Sequence, residues 1–161
     1  MRILGIDPGL NTTGYGVVEF AGGRIKLVEA GVIKTSLSAG IKNRLNKIYR
    51  ALQGLIREQK PQVMVLEKLY THYRHPTTAC LLGHVRGVIC LLSAQENLEF
   101  FEYSPTRIRK SLIGRGNASK LQTKRMVERI FSLKAESLPL DTSDALAMAL
   151  AHVDINLRHR R

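Results

Sequence analysis

Apolar positions in the first 35 residues form three short runs separated by turn-forming residues. The runs are 3–7 (ILGID), 14–21 (GYGVVEFA) and 25–35 (IKLVEAGVIKT). Runs of this length and composition, bounded by such residues, are typical of β-strands. Gly22 and Gly23, between the second and third runs, favour a tight hairpin. We therefore predict a sheet that begins with antiparallel strands.

From residue 41 onwards the apolar positions take the spacing of an α-helix. They form one stripe that ends before Pro61 and contains Leu45, Ile48, Leu52, Leu55 and Ile56. Further along, strands are predicted at 62–67 and 98–103, and helices at 76–97, 104–112, 119–131 and 141–157. Three strands followed by alternating helix and strand predict an α/β fold with one mixed sheet and helices on its faces.

The length and composition fit one domain. The chain has 161 residues, 44% of them hydrophobic, which is enough to bury a single core. We expect one domain over residues 1–157 and a basic tail at 158–161. Cys80 and Cys90 lie in an apolar helical stretch, and their spacing places them on different faces. They are therefore predicted to be buried free thiols in a reducing compartment, without a disulfide or a metal clip.

The net charge points to a polyanionic partner. Lys and Arg exceed Asp and Glu enough to give a formal net charge of +12, and the sequence pI is about 10.2. Nucleic acid is the first candidate and an anionic membrane surface the second. The longest uninterrupted apolar run, VICLL at 88–92, is far shorter than the roughly 20 residues of a transmembrane helix. No secretory signal opens the sequence. We therefore expect a cytoplasmic protein that does not enter membranes.

Carboxylates occur at three places where strands end or a helix begins. Asp7 and Glu67 each close an apolar run, and Asp141 and Asp144 stand at the start of the last predicted helix. Each has a purely structural explanation when taken alone. Asp7 fits an Asx-type turn, Glu67 fits a strand end that meets solvent, and Asp141 fits a helix N-cap.

Taken together, these acids predict a metal site. Neighbouring parallel strands present their carboxyl ends at the same sheet edge, so Asp7 and Glu67 can lie side by side, with Asp141 and Asp144 added by a packed helix. Four close carboxylates raise one another's pKa unless a cation neutralises them. Without a His or Cys cluster at zinc spacing, Mg²⁺ or Mn²⁺ is the expected ion. Two such ions about 4 Å apart can activate water and stabilise the leaving oxygen of a phosphodiester.

Several stretches resemble, in order and spacing, the RuvC-type Holliday-junction resolvases over nearly the whole chain. They are GIDPGLNTTGYGV, the strand ending in Glu67, LGHVRGV, FEY at 101–103, GRGNASK and DTSDALAMALAH. The resemblance implies a ribonuclease-H-like fold with a mixed five-stranded sheet flanked by helices. The catalytic and metal-binding acids of the family fall on Asp7, Glu67, Asp141 and Asp144.

The same resemblance implies an activity and partners. The expected function is Mg²⁺-dependent paired incision of two opposed strands at a four-way DNA junction, in homologous recombination and DNA repair. Two Mg²⁺ ions are expected in each active site, with Mn²⁺ as a substitute. The expected partners are junction DNA, a second copy of the chain and a branch-migration motor of the RuvA and RuvB type. The expected location is the bacterial cytoplasm, at the nucleoid.

The basic surplus concentrates in residues 104–134, which hold nine Lys or Arg residues against Glu128 alone. Ser119 and Gln122 resemble a capping box, so Lys120 would stand at a helix N-terminus that can bind a phosphate. The alternative is that these residues only solvate exposed helix faces. The family resemblance implies DNA contacts by Arg109 and Lys120, and we add Arg115 and Lys124 from the same stretch.

Tyr70 lies in the segment EKLYTHYRHP, whose mixed polar and aromatic composition predicts an exposed loop. The resemblance implies a phenylalanine at this position that wedges into the junction. Tyr70 keeps the ring and adds a hydroxyl. The alternative is a loop aromatic that folds back on its own domain.

The helix at 77–94 is apolar nearly all round, which predicts burial on two sides. The second side is assigned to another subunit, with a central core helix as the alternative; a two-fold dimer would match the symmetry of a junction. His84 and Arg86 in this helix are expected to be structural. His152 is a candidate for facing the acids, eight residues beyond Asp144.

Two other functions compete with the nuclease hypothesis. An actin-like ATPase also begins with a strand, an Asp and a Gly-rich hairpin, but it needs two such domains and roughly twice this length of chain. A non-catalytic nucleic-acid-binding protein on the same fold would be favoured if one of the four acids were missing. All four are present.

Overall fold

The computed structural model describes residues 1–68, 76–134 and 137–157. The segment with Tyr70 and the tail at 158–161 lie outside the described residues. The predicted order of strands and helices is confirmed, with ends that differ by a few residues. In chain order, the elements are β1 (Arg2–Asp7), β2 (Thr12–Ala21), β3 (Arg24–Lys34), α1 (Ile41–Gln59), β4 (Val63–Glu67), α2 (Pro76–Gln95), β5 (Glu99–Tyr103), α3 (Pro105–Ile113), α4 (Lys120–Ile130) and α5 (Leu140–His152), and a π-helical turn at Val153–Leu157 follows.

The sheet has five strands in the order β3-β2-β1-β4-β5. Strands β1, β2 and β3 pair antiparallel, and β2 and β3 are joined through Gly22 and Gly23, which both have positive φ. Strand β4 pairs parallel with both β1 and β5. The predicted mixed sheet and hairpin are therefore confirmed.

Helices cover both faces of the sheet because side chains alternate along each buried strand. Leu4 and Ile6 of β1 pack in a cluster with α1 and α2, whereas Ile3 packs in a second cluster with α3, α4 and α5. Strand β4 divides in the same way, with Met64 and Leu66 on the first face and Val63 and Val65 on the second. The last residue of each strand, Asp7 or Glu67, continues the series on the second face.

Helix α5 lies directly on the sheet because glycines leave room for its backbone. A Cβ atom at Gly5 would overlap the carbonyl oxygen of Ala145, and one at Gly14 would overlap that of Asp141. Gly14 is the register partner of Asp7 in the β1–β2 ladder. The distance between the end of β1 and the start of α5 is therefore set by backbone contact.

Helix α2 packs one side against the sheet and leaves apolar residues on its other side. Val85, Ile89 and Leu92 are fully buried, whereas Leu91 is 56% exposed. The cysteines are free, as predicted, but both are exposed, so the predicted burial was wrong within this single chain. By length and composition alone, the helix at Thr77–Gln95 is long and apolar enough to cross a membrane. The lengths of the uninterrupted apolar runs in the sequence had predicted no such helix. Its buried face belongs to the core of this domain.

Candidate active site

The ends of β1 and β4 bring Asp7 and Glu67 to one sheet edge. Ile6 lies opposite Leu66 in the parallel register, and each acid is the next residue of its strand. The alternation of side chains turns both acids toward the face covered by α5. The sheet register therefore places these two strand ends at the same edge, as predicted.

Helix α5 adds Asp141 and Asp144 to this edge. It begins at Leu140 with Pro139 at the N-cap position, and no side chain of the described residues caps it. The purely structural alternative for Asp141, an N-cap, is therefore wrong, because the helix starts one residue earlier and Asp141 lies in its first turn. Both acids remain at the amino end of α5, where the partial positive charge of the helix favours carboxylates.

Burial and mutual repulsion shift the pKa of the strand acids. Burial, together with the negative charges of Asp144, Asp141 and Glu67, raises the pKa of Asp7 to about 7. Burial also raises the pKa of Glu67, again with a contribution from Asp144. Lys120 opposes the rise in pKa at both acids. Asp7 therefore lies within the electrostatic reach of the other three acids.

Lys120 is fixed beside the acids by the start of α4. The hydroxyl of Ser119 accepts a hydrogen bond from the Gln122 amide, and the Gln122 side chain accepts one from the Ser119 amide, so the predicted capping box is confirmed. Lys120 Nζ donates to Asp144 Oδ2 at 2.9 Å, which raises the pKa of the lysine. The lysine side chain is 66% exposed and that of Asp144 14%. An exposed ammonium therefore reaches into the acidic cluster.

A small cavity of about 20 Å³ lies between the acids and the basic helices. This volume holds roughly one water-sized occupant. It is lined by Glu67, Arg109, Lys120, Asp144 and residues of α3 and α5. Carboxylate oxygens are the donors that Mg²⁺ and Mn²⁺ prefer, so the chemistry of the cluster fits these ions. Over 1–68, 76–134 and 137–157, however, no three His, Cys, Asp or Glu side chains converge tightly enough to enclose a metal ion.

Arg86 holds the carboxyl end of β4 from the opposite side. Its Nη1 donates to the backbone carbonyl of Glu67 at 2.6 Å, and its Nη2 forms an ion pair with Glu102 on β5. The positive charge also opposes the rise in the pKa of Glu67. From the sequence, Arg86 is expected to have only a structural role. The sequence offered one indication of this contact, because a helix that connects β4 to β5 must pass the ends of both strands.

The remaining predicted residues divide by position. Arg109 lines the cavity, and Arg115 is exposed in the turn between α3 and α4. Lys124 is only 11% exposed and lies 3.9 Å from Glu128, so it is less open to DNA than the sequence analysis assumed. His152 does not face the acids as suggested. It is buried, with Nδ1 2.9 Å from the Tyr103 hydroxyl.

Comparison with known proteins identifies the family. Residues 3–152 match the family described as crossover junction endodeoxyribonuclease RuvC. The chain belongs to this family. RuvC of Rhodopirellula baltica is 44% identical over 148 residues, which cover 92% of this chain and 83% of that protein. RuvC of Alkaliphilus oremlandii is 40% identical over 152 residues, which cover 94% and 92%.

A solved RuvC has the same architecture. The structure of Thermus thermophilus RuvC matches with a TM-score of 0.86 and 30% identity, and it covers 96% of this chain and 94% of that one. A second structure, T. thermophilus RuvC in complex with Holliday junction substrate, matches with the same TM-score and coverage at 27% identity. The predicted family and the predicted ribonuclease-H-like α/β fold are therefore confirmed.

Proposed function

We propose that the chain resolves Holliday junctions by metal-dependent hydrolysis of phosphodiester bonds at the cluster of Asp7, Glu67, Asp141 and Asp144. Family membership gives the activity class, a crossover junction endodeoxyribonuclease acting in DNA recombination and repair. The T. thermophilus relative whose structure holds a Holliday junction substrate supports the choice of DNA. The observation that carries the proposal is the position of Asp7, which is partly buried and close enough to Asp144, Asp141 and Glu67 for their charges to help raise its pKa to about 7.

The four acids would hold the metal in this proposal. One or two Mg²⁺ ions, with Mn²⁺ as a substitute, would supply activation of water and stabilisation of the leaving oxygen. Arg109 and Lys120 line the cavity beside Glu67 and Asp144, so they can bind the phosphate that is cut. Arg86 keeps the Glu67 backbone in place through its hydrogen bond to the carbonyl.

The surface around the site is suited to DNA. The chain carries a net charge of +12, and α3 and the turn to α4 expose further basic residues such as Arg107, Lys110 and Arg115. Phosphate contacts of this kind position a nucleic acid without reading its sequence. Lys124 would contribute less because of its pairing with Glu128. Tyr70 stays a predicted wedge.

A homodimer through α2 would present two sites to one junction. The exposed side of α2 carries Leu91 beside Gly83 and Gly87, at which a Cβ would meet no atom within 4 Å. A second copy of the helix can therefore approach this side closely. We also infer cytoplasmic action at the bacterial nucleoid, together with a branch-migration motor of the RuvA and RuvB type.

The test is incubation of the protein with Mg²⁺ and three end-labelled DNAs: a four-way junction, a duplex and a single strand. We expect paired cuts in opposed strands of the junction and little cutting of the other two. Equal cutting of all three DNAs would contradict junction resolution. Junction binding without cleavage, in either Mg²⁺ or Mn²⁺, would instead favour a non-catalytic binding protein.

A further inference from the structure

A groove of about 570 Å³ opens beside the end of β1. One wall is the loop from Pro8 to Thr12, which directly follows Asp7. The opposite walls are Leu37, which precedes α1, Arg44 in the first turn of α1, and Thr78 and Leu81 near the beginning of α2. None of these residues lines the cavity at Glu67 and Asp144. The groove is therefore a separate space that starts where the acidic cluster ends.

Arg44 brings a positive charge to this groove, and the described part of the chain pairs no negative charge with it. The residue is only 9% exposed. Its Nε donates to the Thr35 hydroxyl at 2.9 Å, and its Nη2 donates to the Asn11 side-chain oxygen. Both partners are uncharged, and no carboxylate of the described ranges forms an ion pair with the guanidinium.

A nearly buried guanidinium with neutral partners favours an anionic ligand. Removing a charge from water is costly unless an opposite charge compensates it. No acceptor among the described residues binds Nη1, and the residue lines an open groove. The planar fork of arginine matches the oxygens of a phosphate. Leu37 and Leu81 on the same walls offer an apolar surface to a sugar or base.

We infer that this groove is a nucleotide subsite in which Arg44 binds a phosphate of the DNA strand next to the phosphate that is cut. The inference rests on the proposed function, because a strand lying across Asp7 continues along the loop from Pro8 to Thr12. The bound group is a phosphodiester with its sugar and base. Arg44 is thereby a substrate-binding residue outside the acidic cluster and outside the basic stretch at 104–134.

The competing explanation is that Arg44 only braces two loops through Asn11 and Thr35. A chemical substitution in the DNA separates these roles, because a methylphosphonate removes the charge of one phosphate without touching the protein. We would place one methylphosphonate at each successive position on both sides of the cleavage site. Single-turnover cleavage is then measured for the wild type, for Arg44→Gln and for the control Arg50→Gln. Arg50 is an exposed arginine of the same helix.

We expect the wild type to lose roughly ten- to a hundredfold in rate at one flanking position, the range for a charge-assisted hydrogen bond. Arg44→Gln should be slowed to a similar extent on unmodified DNA and should be insensitive to the methylphosphonate at that position. Arg50→Gln should keep the wild-type pattern. If Arg44→Gln keeps the full wild-type sensitivity at every position, or if no flanking position is sensitive, the subsite is excluded.

Arg44→Lys keeps the test decisive if Arg44→Gln fails to fold. The lysine retains the charge and loses the fork, so sensitivity should persist at the same position with a smaller magnitude. An unchanged magnitude would indicate bracing only. Failure of the wild type to cut an unmodified junction would instead contradict the proposed function, and this outcome is separate from the position scan.

Discussion

Lys120 Nζ lies 2.9 Å from Asp144 Oδ2, so the basic helix α4 and the acidic cluster meet through one ion pair. The lysine remains two-thirds exposed. It can therefore contact a DNA phosphate while it stays beside the acids. Its charge also restrains the rise in the pKa of Asp7.

Lys120→Ala should weaken junction binding and lower its salt dependence. In a plot of the logarithm of the binding constant against the logarithm of the salt concentration, the slope should become shallower by about one unit, because one phosphate contact is lost. Fluorescence anisotropy at several salt concentrations measures this slope. Lys47→Ala, an exposed lysine of α1, is the control and should leave the slope unchanged. An unchanged slope in Lys120→Ala would remove this lysine from the interface.

Asp7→Asn should abolish cleavage and leave junction binding intact or tighter. The substitution removes a negative charge that faces phosphate and takes away a ligand of the proposed metal. Mg²⁺ or Mn²⁺ should raise the melting temperature of the wild type, because a ligand that binds the folded state stabilises it, but should not raise that of the variant. Glu58→Gln on α1 is the matched control and should respond like the wild type. An equal metal response in Asp7→Asn would argue against the four-acid site.

Arg86→Met should raise the metal concentration needed for cleavage while junction binding stays near the wild-type level. The change removes the hydrogen bond to the Glu67 carbonyl, worth about 1.5 to 3 kcal/mol for a charged donor. Mn²⁺ titration of both the rate and the heat of binding measures the effect. Glu102→Gln breaks the ion pair but keeps the hydrogen bond to Glu67, so its effect should be smaller. If both variants have the same effect, the bond to the Glu67 carbonyl is not the cause.

Leu91→Glu should split the proposed dimer. The leucine is 56% exposed in one chain, and a glutamate there would be buried unpaired in the interface at a cost of several kcal/mol. Sedimentation measures the mass, and Ile130→Glu on α4 is the control. The monomer should still bind Mn²⁺, because all four acids come from one chain, while paired incision falls. A wild type that sediments as a monomer with and without junction DNA would refute the dimer.

His152 should make the fold less stable in mild acid. Burial lowers the pKa of His152, an effect that Glu99 partly opposes. The unfolded chain therefore takes up the proton more readily, and stability should fall as the pH drops below about 6.5. Urea unfolding between pH 8 and pH 5 measures this loss. His152→Gln should reduce the acid-side slope, and His84→Gln, on an exposed histidine, should not.

The acids could be located from the sequence because their positions depend on strand periodicity and parallel order. Asp7 and Glu67 end their apolar runs in phase, so a correct sheet order brings them together. His152 was misplaced because eight residues advance a helix by about 80° beyond two full turns, which turns it away from Asp144. The contacts of Arg86 with Glu67 and of Arg44 with Asn11 join distant segments through long side chains, so local patterns carry no signal for them.

The close contacts of Gly5 and Gly14 with α5 affect how the results of a mutant library should be interpreted. Any side chain at either position would collide with the backbone of α5 and would lift Asp141 and Asp144 off the sheet edge. A selection for loss of junction cutting should therefore recover substitutions at these two glycines alongside changes in the acids. A screen that scores only the loss of cutting would therefore class Gly5 and Gly14 as catalytic residues, although neither has a side chain that could take part in the reaction.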